Sequence, residues 1–370
     1  MNELVIDVRK MFDAGIGTYI RNVIPRVVHQ LQNHRLALLV ADNLVDWQKE
    51  CLNRFGDVRW IVAKAKPFTL REQLEIRQLV GPAQVFWATS LAHSLFSRSP
   101  LIATVHDVAQ LALGDEGGRR TVKAAARLYF QSLRKRAALL MMISGFTRDE
   151  FARYVGTAPG AEIVVTPAGV DPSWFLASSY ARLKALPNRY FLVVGNLRPH
   201  KNLRRVLRAY CGVMNTVPQH LVIVGRHEGF RTSDLGIVEL IRMLGPKIHF
   251  LGALDDIELK ASVAYADALI FASLYEGFGL PVLEAAAAGC IVVTSQTGAA
   301  REICGDAAFF IDPESTDSIQ ASMMRVAELE SGEREARVKQ GMARARAFSW
   351  DLTAATTADA IEKVCFINRP

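Results

Sequence analysis

At 370 residues the chain is too long for one ordinary core and suits two domains of about 150–200 residues each. Half of the residues are hydrophobic and 22% are charged, a globular balance that excludes a disordered chain. The net charge of +7 belongs to the first half: residues 1–170 hold 22 Lys and Arg against 15 Asp and Glu, whereas residues 171–370 hold 22 of each. That asymmetry points the first half toward something anionic, such as a membrane surface, a phosphorylated acceptor or nucleic acid.

The apolar runs at 137–143 and 268–272 fall far short of the roughly 18 residues needed to span a bilayer. The N-terminal MNELVIDVRK lacks the pattern of a secretory signal. Five dispersed cysteines (Cys51, Cys211, Cys290, Cys304, Cys365) form no C-x-x-C pair and read as reduced buried thiols, not as a zinc or disulfide framework. A cytoplasmic protein is expected, with peripheral contact at the inner membrane face through its basic first half.

In chain order, residues 4–8 read as a buried strand, followed by Asp13-Ala-Gly15-Ile-Gly17-Thr-Tyr19 and a helical pattern over 16–32. The loop holds half of a dinucleotide-binding fingerprint, with Ile20 where a third glycine would stand. Its amides are expected to approach a phosphate or an acceptor; a plain turn is the alternative. Further buried strands are predicted at 36–41, 58–63, 85–88, 101–105, 139–143 and 163–165. His106-Asp107 closes the strand at 101–105, where an imidazole can meet a sugar hydroxyl or a developing charge, or serve as a satisfied structural histidine. The segment 119–136 sets Arg119, Arg120, Lys123, Arg127, Arg134, Lys135 and Arg136 beside Val122, Ala126, Tyr129, Phe130 and Leu133. Such a basic amphipathic helix can lie on anionic lipid or simply present a solvated face. No aromatic stacking platform accompanies it, so no nucleic-acid partner is expected.

Residues 171–188 carry two prolines and three serines and read as a boundary. Strands then resume at 190–194, 221–224, 248–251, 268–271 and 291–294, with helices between them. The alternation predicts an α/β protein of two doubly wound, Rossmann-like domains, at 1–172 and 188–349, with ligands beyond the carboxyl ends of the strands in a cleft. The tail 350–370 is predicted to be helical.

Two segments of the second domain carry chemistry. In Val194-Gly195-Asn-Leu-Arg198-Pro-His-Lys201-Asn202, Lys201 at a strand-to-helix turn can reach a phosphate, and Arg198 can add a fork. In Glu276-Gly277-Phe278-Gly279-Leu280-Pro281-Val-Leu-Glu284, a strand runs through glycines into a helix with proline in its first turn. Free amides beyond Pro281 and the helix dipole make an anion site there. Glu276 at the strand exit and Glu284 in the helix can grip hydroxyls on either side of a phosphate, which fits a nucleoside diphosphate sugar. The alternative is that Glu276 caps the helix and Glu284 is solvated. His93, His200 and His227 have no neighbours at metal-ligand spacing, and no metal or other cofactor is expected.

These motifs, together with Ser144-Gly-Phe-Thr147 and Gly169-Val-Asp171, resemble a family 4 glycosyltransferase, a retaining enzyme of GT-B fold; the wording of 13–22 and 199–202 is most similar to bacterial mannosyltransferases of surface polysaccharide synthesis. The resemblance implies that Glu276 binds the donor sugar with the amides of Phe278, Gly279 and Leu280, and that Glu284 holds the ribose. Lys201 would neutralise the diphosphate, Gly15 and Gly17 would approach it, and His106 would lie near the transferring sugar. It also implies an acceptor-binding first domain, a nucleotide-sugar-binding second domain and a final helix that returns to the first. The donor would be GDP-mannose and the acceptor a saccharide or lipid-linked saccharide. A non-catalytic sugar-nucleotide-binding protein, a phosphorylase or an epimerase are the alternative functions. Asn196, where the family often has Arg, and Ala168, where it often has Asn, depart from the pattern.

Overall fold

The computed structural model describes residues 3–42, 44, 50, 55–56, 58–81, 84–113, 120–195, 198–225 and 235–367. The chain forms two compact units, one of Met1–Gly169 with Ser349–Pro370 and one of Val170–Phe348.

In the first unit, β1 (Leu4–Asp7), β2 (Leu36–Ala41), β3 (Arg59–Ala63), β4 (Val85–Ala88), β5 (Leu101–Val105), β6 (Ala137–Met142) and β7 (Glu162–Val165) form one parallel sheet in the order β3-β2-β1-β4-β5-β6-β7. The order reverses between β1 and β4, which pair Leu4 with Val85 and Ile6 with Trp87. The helix Gly15–Gln30 follows β1 and buries Tyr19, Ile20, Val23, Ile24, Val27 and Val28, one stripe at three- and four-residue spacing. The helix Trp350–Glu362 packs against it, capped by the Ser349 hydroxyl accepting from the Leu352 amide. Gly169 lies so close to this helix start that a Cβ would stand 2.2 Å from the Trp350 nitrogen. Only glycine fits there.

In the second unit, β8 (Tyr190–Val194), β9 (His220–Val224), β10 (Ile248–Gly252), β11 (Ala268–Phe271), β12 (Val292–Ser295) and β13 (Phe309–Ile311) form a parallel sheet in the order β10-β9-β8-β11-β12-β13. Its reversal falls between β8 and β11. The core is built from Phe191, Leu207, Tyr210, Leu221, Ile270 and Val293, with the helix Leu203–Val213 laid over the sheet.

The boundary needs one correction. The stretch 171–188 is not a linker: it belongs to the second unit and starts with a 3-10 helix, Pro172–Ser179, capped by Asp171. Trp174 is buried beneath it, 5.7 Å from the Lys260 ammonium. Burying an aromatic side chain contributes about 2–3 kcal/mol, enough to fix a proline- and serine-rich stretch that composition alone reads as loose. The strand β13 has no counterpart among the predicted strands, because three residues after a short turn carry no usable period.

Candidate functional site

Lys201 and Glu276 leave the two strands that flank the reversal of the second sheet. Ligands of doubly wound sheets sit beyond the carboxyl ends of such strands. Lys201 ends a 3-10 turn, Pro199–Lys201, after β8; Glu276 lies in the turn after β11. Their side chains meet: Lys201 Nζ donates to Glu276 Oε1 at 2.5 Å, with about a fifth of each side chain exposed. The ammonium also lies 4.8 Å from the Phe271 ring centre. The sequence assigns these groups to different parts of a ligand. The structure pairs them with each other.

Asn202 explains how Lys201 is held. It is buried, has φ of 60°, and caps the start of the helix Leu203–Val213. Its side-chain amide donates to the carbonyls of Ala272 (3.1 Å) and Pro313 (2.6 Å), and its oxygen accepts from Arg205. Together with the Leu274 amide donating to the His200 carbonyl, these bonds lock the turn after β8 onto the exit of β11. Sequence reasoning gave Asn202 no role. The available signal was an asparagine directly before a helix, one of the few residue types that accepts a left-handed backbone. Burial lowers the basicity of the neighbouring His200, against the pull of Glu276. Arg198 is exposed and makes no ion pair among the described residues, but its charge acts on His200, as do those of Lys201 and Glu276. Asn196, Leu197, His227 and Glu228 lie outside the described residues, as do Cys51 and Arg119.

Gly279 has φ of 101° and is the N-cap of the helix Leu280–Ala287, which puts Pro281 at its second position. The expected anion donors shift accordingly. The amides of Val282 and Leu283 are not free but donate to the Gly279 carbonyl, the bond from Val282 being the 3-10 type that tightens a helix end. Among the described residues, the amides of Phe278, Gly279 and Leu280 have no acceptor. Gly277, Phe278 and Gly279 are buried, and Phe278 packs edge-on against Phe348. A small hollow beside Glu276 is lined by Ser273, Thr294, Ser295 and Thr297. Within it the Ser295 hydroxyl donates to the Ser273 carbonyl, and the buried Ser273 hydroxyl has no partner among the described residues. Gly298 passes over this turn, where a Cβ would meet the Glu276 carbonyl at 2.8 Å.

Glu284 sits in a different environment. Its charged neighbours are Asp256 and Lys260 on the helix Asp256–Ala264, not Lys201. Burial, reinforced by Asp256 and opposed by Lys260, pushes its carboxyl up to about 7. After β8 and β9 the backbones nest: a Cβ on Gly225 would lie 2.2 Å from the Gly195 carbonyl, and the Gly225 amide donates to Gly252.

In the first unit, His106 follows β5. Its Nε2 donates to the Thr89 carbonyl (2.9 Å), and its ring meets Tyr19 edge-on at 5.1 Å. Burial holds the imidazole down to about 4, so it is neutral near pH 7. Asp107 caps the turn that follows through the Ala109 amide, and the Thr147 hydroxyl donates to the His106 carbonyl. Beside them lies a hollow lined by Ile16, Thr104, His106, Asp107 and Gln110.

Gly15 and Gly17 differ. Gly15 is exposed at the first turn of an uncapped helix, with nothing within 4 Å of a would-be Cβ. Gly17 is buried, and a Cβ there would stand 2.6 Å from the Met11 carbonyl. Its lack of a side chain is accounted for by the chain's own turn. Among the described residues, no group of three or more His, Cys, Asp or Glu could hold a metal ion, and no helix is long and apolar enough to cross a membrane.

The model of the glycosyl transferases group 1 family matches residues 181–344. The chain is 27% identical over 358 residues to O-antigen chain mannosyltransferase B of Escherichia coli, covering 91% of this chain and 93% of that one. It is 29% identical over 284 residues to MMP alpha-(1->4)-mannosyltransferase of Mycolicibacterium hassiacum, covering 71% and 65%. The fold is similar to that of sucrose-phosphate synthase from Thermosynechococcus elongatus, with a TM-score of 0.75 at 15% identity over 98% of this chain and 99% of the other. The chain therefore carries a glycosyl transferases group 1 domain and is a glycosyltransferase of GT-B fold.

Proposed function

We propose that the enzyme transfers mannose from GDP-mannose to a hydroxyl of a saccharide or lipid-linked saccharide, with retention at the anomeric carbon, in the synthesis of a surface polysaccharide such as an O-antigen. The observation that carries this reading is the Lys201–Glu276 pair beside the unpaired amides of Phe278, Gly279 and Leu280, at the reversal point of the second sheet. The names of the relatives support mannose as the sugar.

In this reading the diphosphate takes Lys201 as its counter-charge, and Glu276, released from the ion pair, accepts hydrogen bonds from the sugar hydroxyls. The bond between the anomeric carbon and the β-phosphate oxygen breaks, leaving negative charge on the phosphate and positive character on the ring. Fixed cationic and amide donors stabilise that phosphate without reorganising. The acceptor oxygen bonds to the anomeric carbon on the face the phosphate leaves, and its proton passes to the phosphate. Glu284, protonated through part of the neutral range, holds the ribose by donating or accepting a hydrogen bond. His106, Gly15 and Gly17 are assigned to the first unit's share of the reaction: the neutral imidazole to the transferring sugar, the glycine loop to phosphate or acceptor. With Lys201 as counter-charge, the chemistry requires no metal.

A thermal-shift screen against GDP-mannose, UDP-glucose, UDP-N-acetylglucosamine and the free diphosphates tests the donor; GDP-mannose should give the largest stabilisation. Turnover with a mannose-terminated acceptor should persist in EDTA. Loss of turnover restored by manganese would refute the metal-free account, and a larger shift with a uridine nucleotide would refute the donor.

A further inference from the structure

The hydroxyl of Ser273 lines the hollow beside Glu276 and bonds to nothing among the described residues. Ser273 is 2% exposed and sits between the end of β11 at Phe271 and Glu276. Its carbonyl is already taken, accepting from the Ser295 hydroxyl at 2.6 Å, so the exits of β11 and β12 are joined without the Ser273 side chain. Alanine would serve that join equally well. A hydroxyl kept buried with no partner costs stability, so its presence needs a reason.

The surroundings point that reason toward Glu276. Gly298, with φ of 92°, brings its backbone so close that a Cβ would stand 2.8 Å from the Glu276 carbonyl and 3.7 Å from the Glu276 Cβ. The main chain of Glu276 is thereby hemmed in. Its carboxylate is held through Oε1 by Lys201, its ion-pair partner among the described residues. A lysine that turns to a diphosphate leaves this carboxylate without that donor. Ser273, on the same hollow, has a proton to give and no competing acceptor.

We infer that Ser273 is a positioning residue for Glu276: when the diphosphate takes Lys201, the Ser273 hydroxyl donates to the Glu276 carboxylate and keeps it aimed at the sugar. The hydroxyl is idle in the ligand-free chain and bonded in the donor complex. The exchange of partners keeps a fixed dipole on the carboxylate as its counter-charge leaves. The inference rests on the proposed assignment of Lys201 to the diphosphate and of Glu276 to the sugar hydroxyls.

Calorimetric titration of the full chain with GDP-mannose and with GDP, alongside initial rates of transfer, tests it. Ser273→Ala should lower kcat about tenfold and weaken GDP-mannose binding, while GDP binding stays as in the wild type. Its melting temperature should not fall, since the group removed has no partner among the described residues. Ser273→Thr, which keeps a hydroxyl, should retain most of the rate. Ser273→Val, of similar shape without a hydroxyl, should behave as the alanine variant does. A role in packing alone would make the threonine and valine variants alike. Two failures are distinct. A wild-type chain that binds GDP-mannose no more tightly than GDP and transfers nothing would remove the donor reading, and this inference with it. Transfer by the wild type with an undiminished rate in Ser273→Ala, or with equal rates in the threonine and valine variants, would overturn the positioning role alone.

Discussion

Each unit sends a glycine-bearing turn from a central strand into a helix, and the two turns solve different problems. After β1, Gly17 yields space to the Met11 carbonyl, so the turn is compact and serves its own packing. After β11, Gly279 takes a left-handed backbone that caps a helix, lies among amides (Phe278, Gly279 and Leu280) with no acceptor among the described residues, and stands three residues from a carboxylate paired to a lysine. The same residue type relieves a crowded backbone in one unit and supplies a left-handed helix cap in the other. What separates them is the carbonyl or the charged pair that the fold brings alongside.

That contrast can be broken most directly at Glu276. Replacement by Gln should slow transfer by roughly two orders of magnitude, about 3 kcal/mol at the transition state, while nucleotide binding and melting temperature hold. Unchanged initial rates would place the chemistry elsewhere. Asn202→Ala should cost about 2–3 kcal/mol, because two carbonyls lose their donor and alanine is strained at positive φ. Differential scanning calorimetry measures the loss, and weaker nucleotide binding should accompany it as Lys201 drifts.

At the other turn, Gly17→Ala should destabilise the protein by about 1–3 kcal/mol, since the backbone must move to admit the methyl group. Gly15→Ala, in open space, should leave the melting temperature unchanged or raise it slightly, by less than about 1 kcal/mol. Equal melting temperatures for the two variants would remove the packing explanation. At Glu284 the expected effect is one of pH dependence. The folded chain holds its proton up to about 7, whereas the unfolded chain releases it near 4.5. Between those values the native state binds more protons, so this carboxyl is without penalty below 4.5 and lowers stability as pH rises through the window. Glu284→Gln should flatten that part of a plot of melting temperature against pH.

Much of the fold is legible because buried parallel strands read as short apolar runs, and twelve of the thirteen strands among the described residues do so. β13 escapes because three residues carry no period. The stretch 171–188 misleads because its composition is that of a loop, while the burial of Trp174 decides its place. In the site, Lys201 and Glu276 are legible as charged residues at strand exits. Their contact is not, because 75 residues of sequence separate two groups that share one hydrogen bond. Arg198 reads as a phosphate ligand on spacing alone, and in the structure its side chain is exposed.

By itself, then, the sequence determined the alternation of strands and helices, the positions of the glycine-bearing turns at the strand exits, and the basic character of the first half. Those features are local, set by periodicity and by residue type. Only the tertiary structure decided which charges face one another, which glycines are crowded and which amides remain unbonded. Each of these depends on a partner distant in the chain. Packing assigns that partner, and no window of sequence contains it.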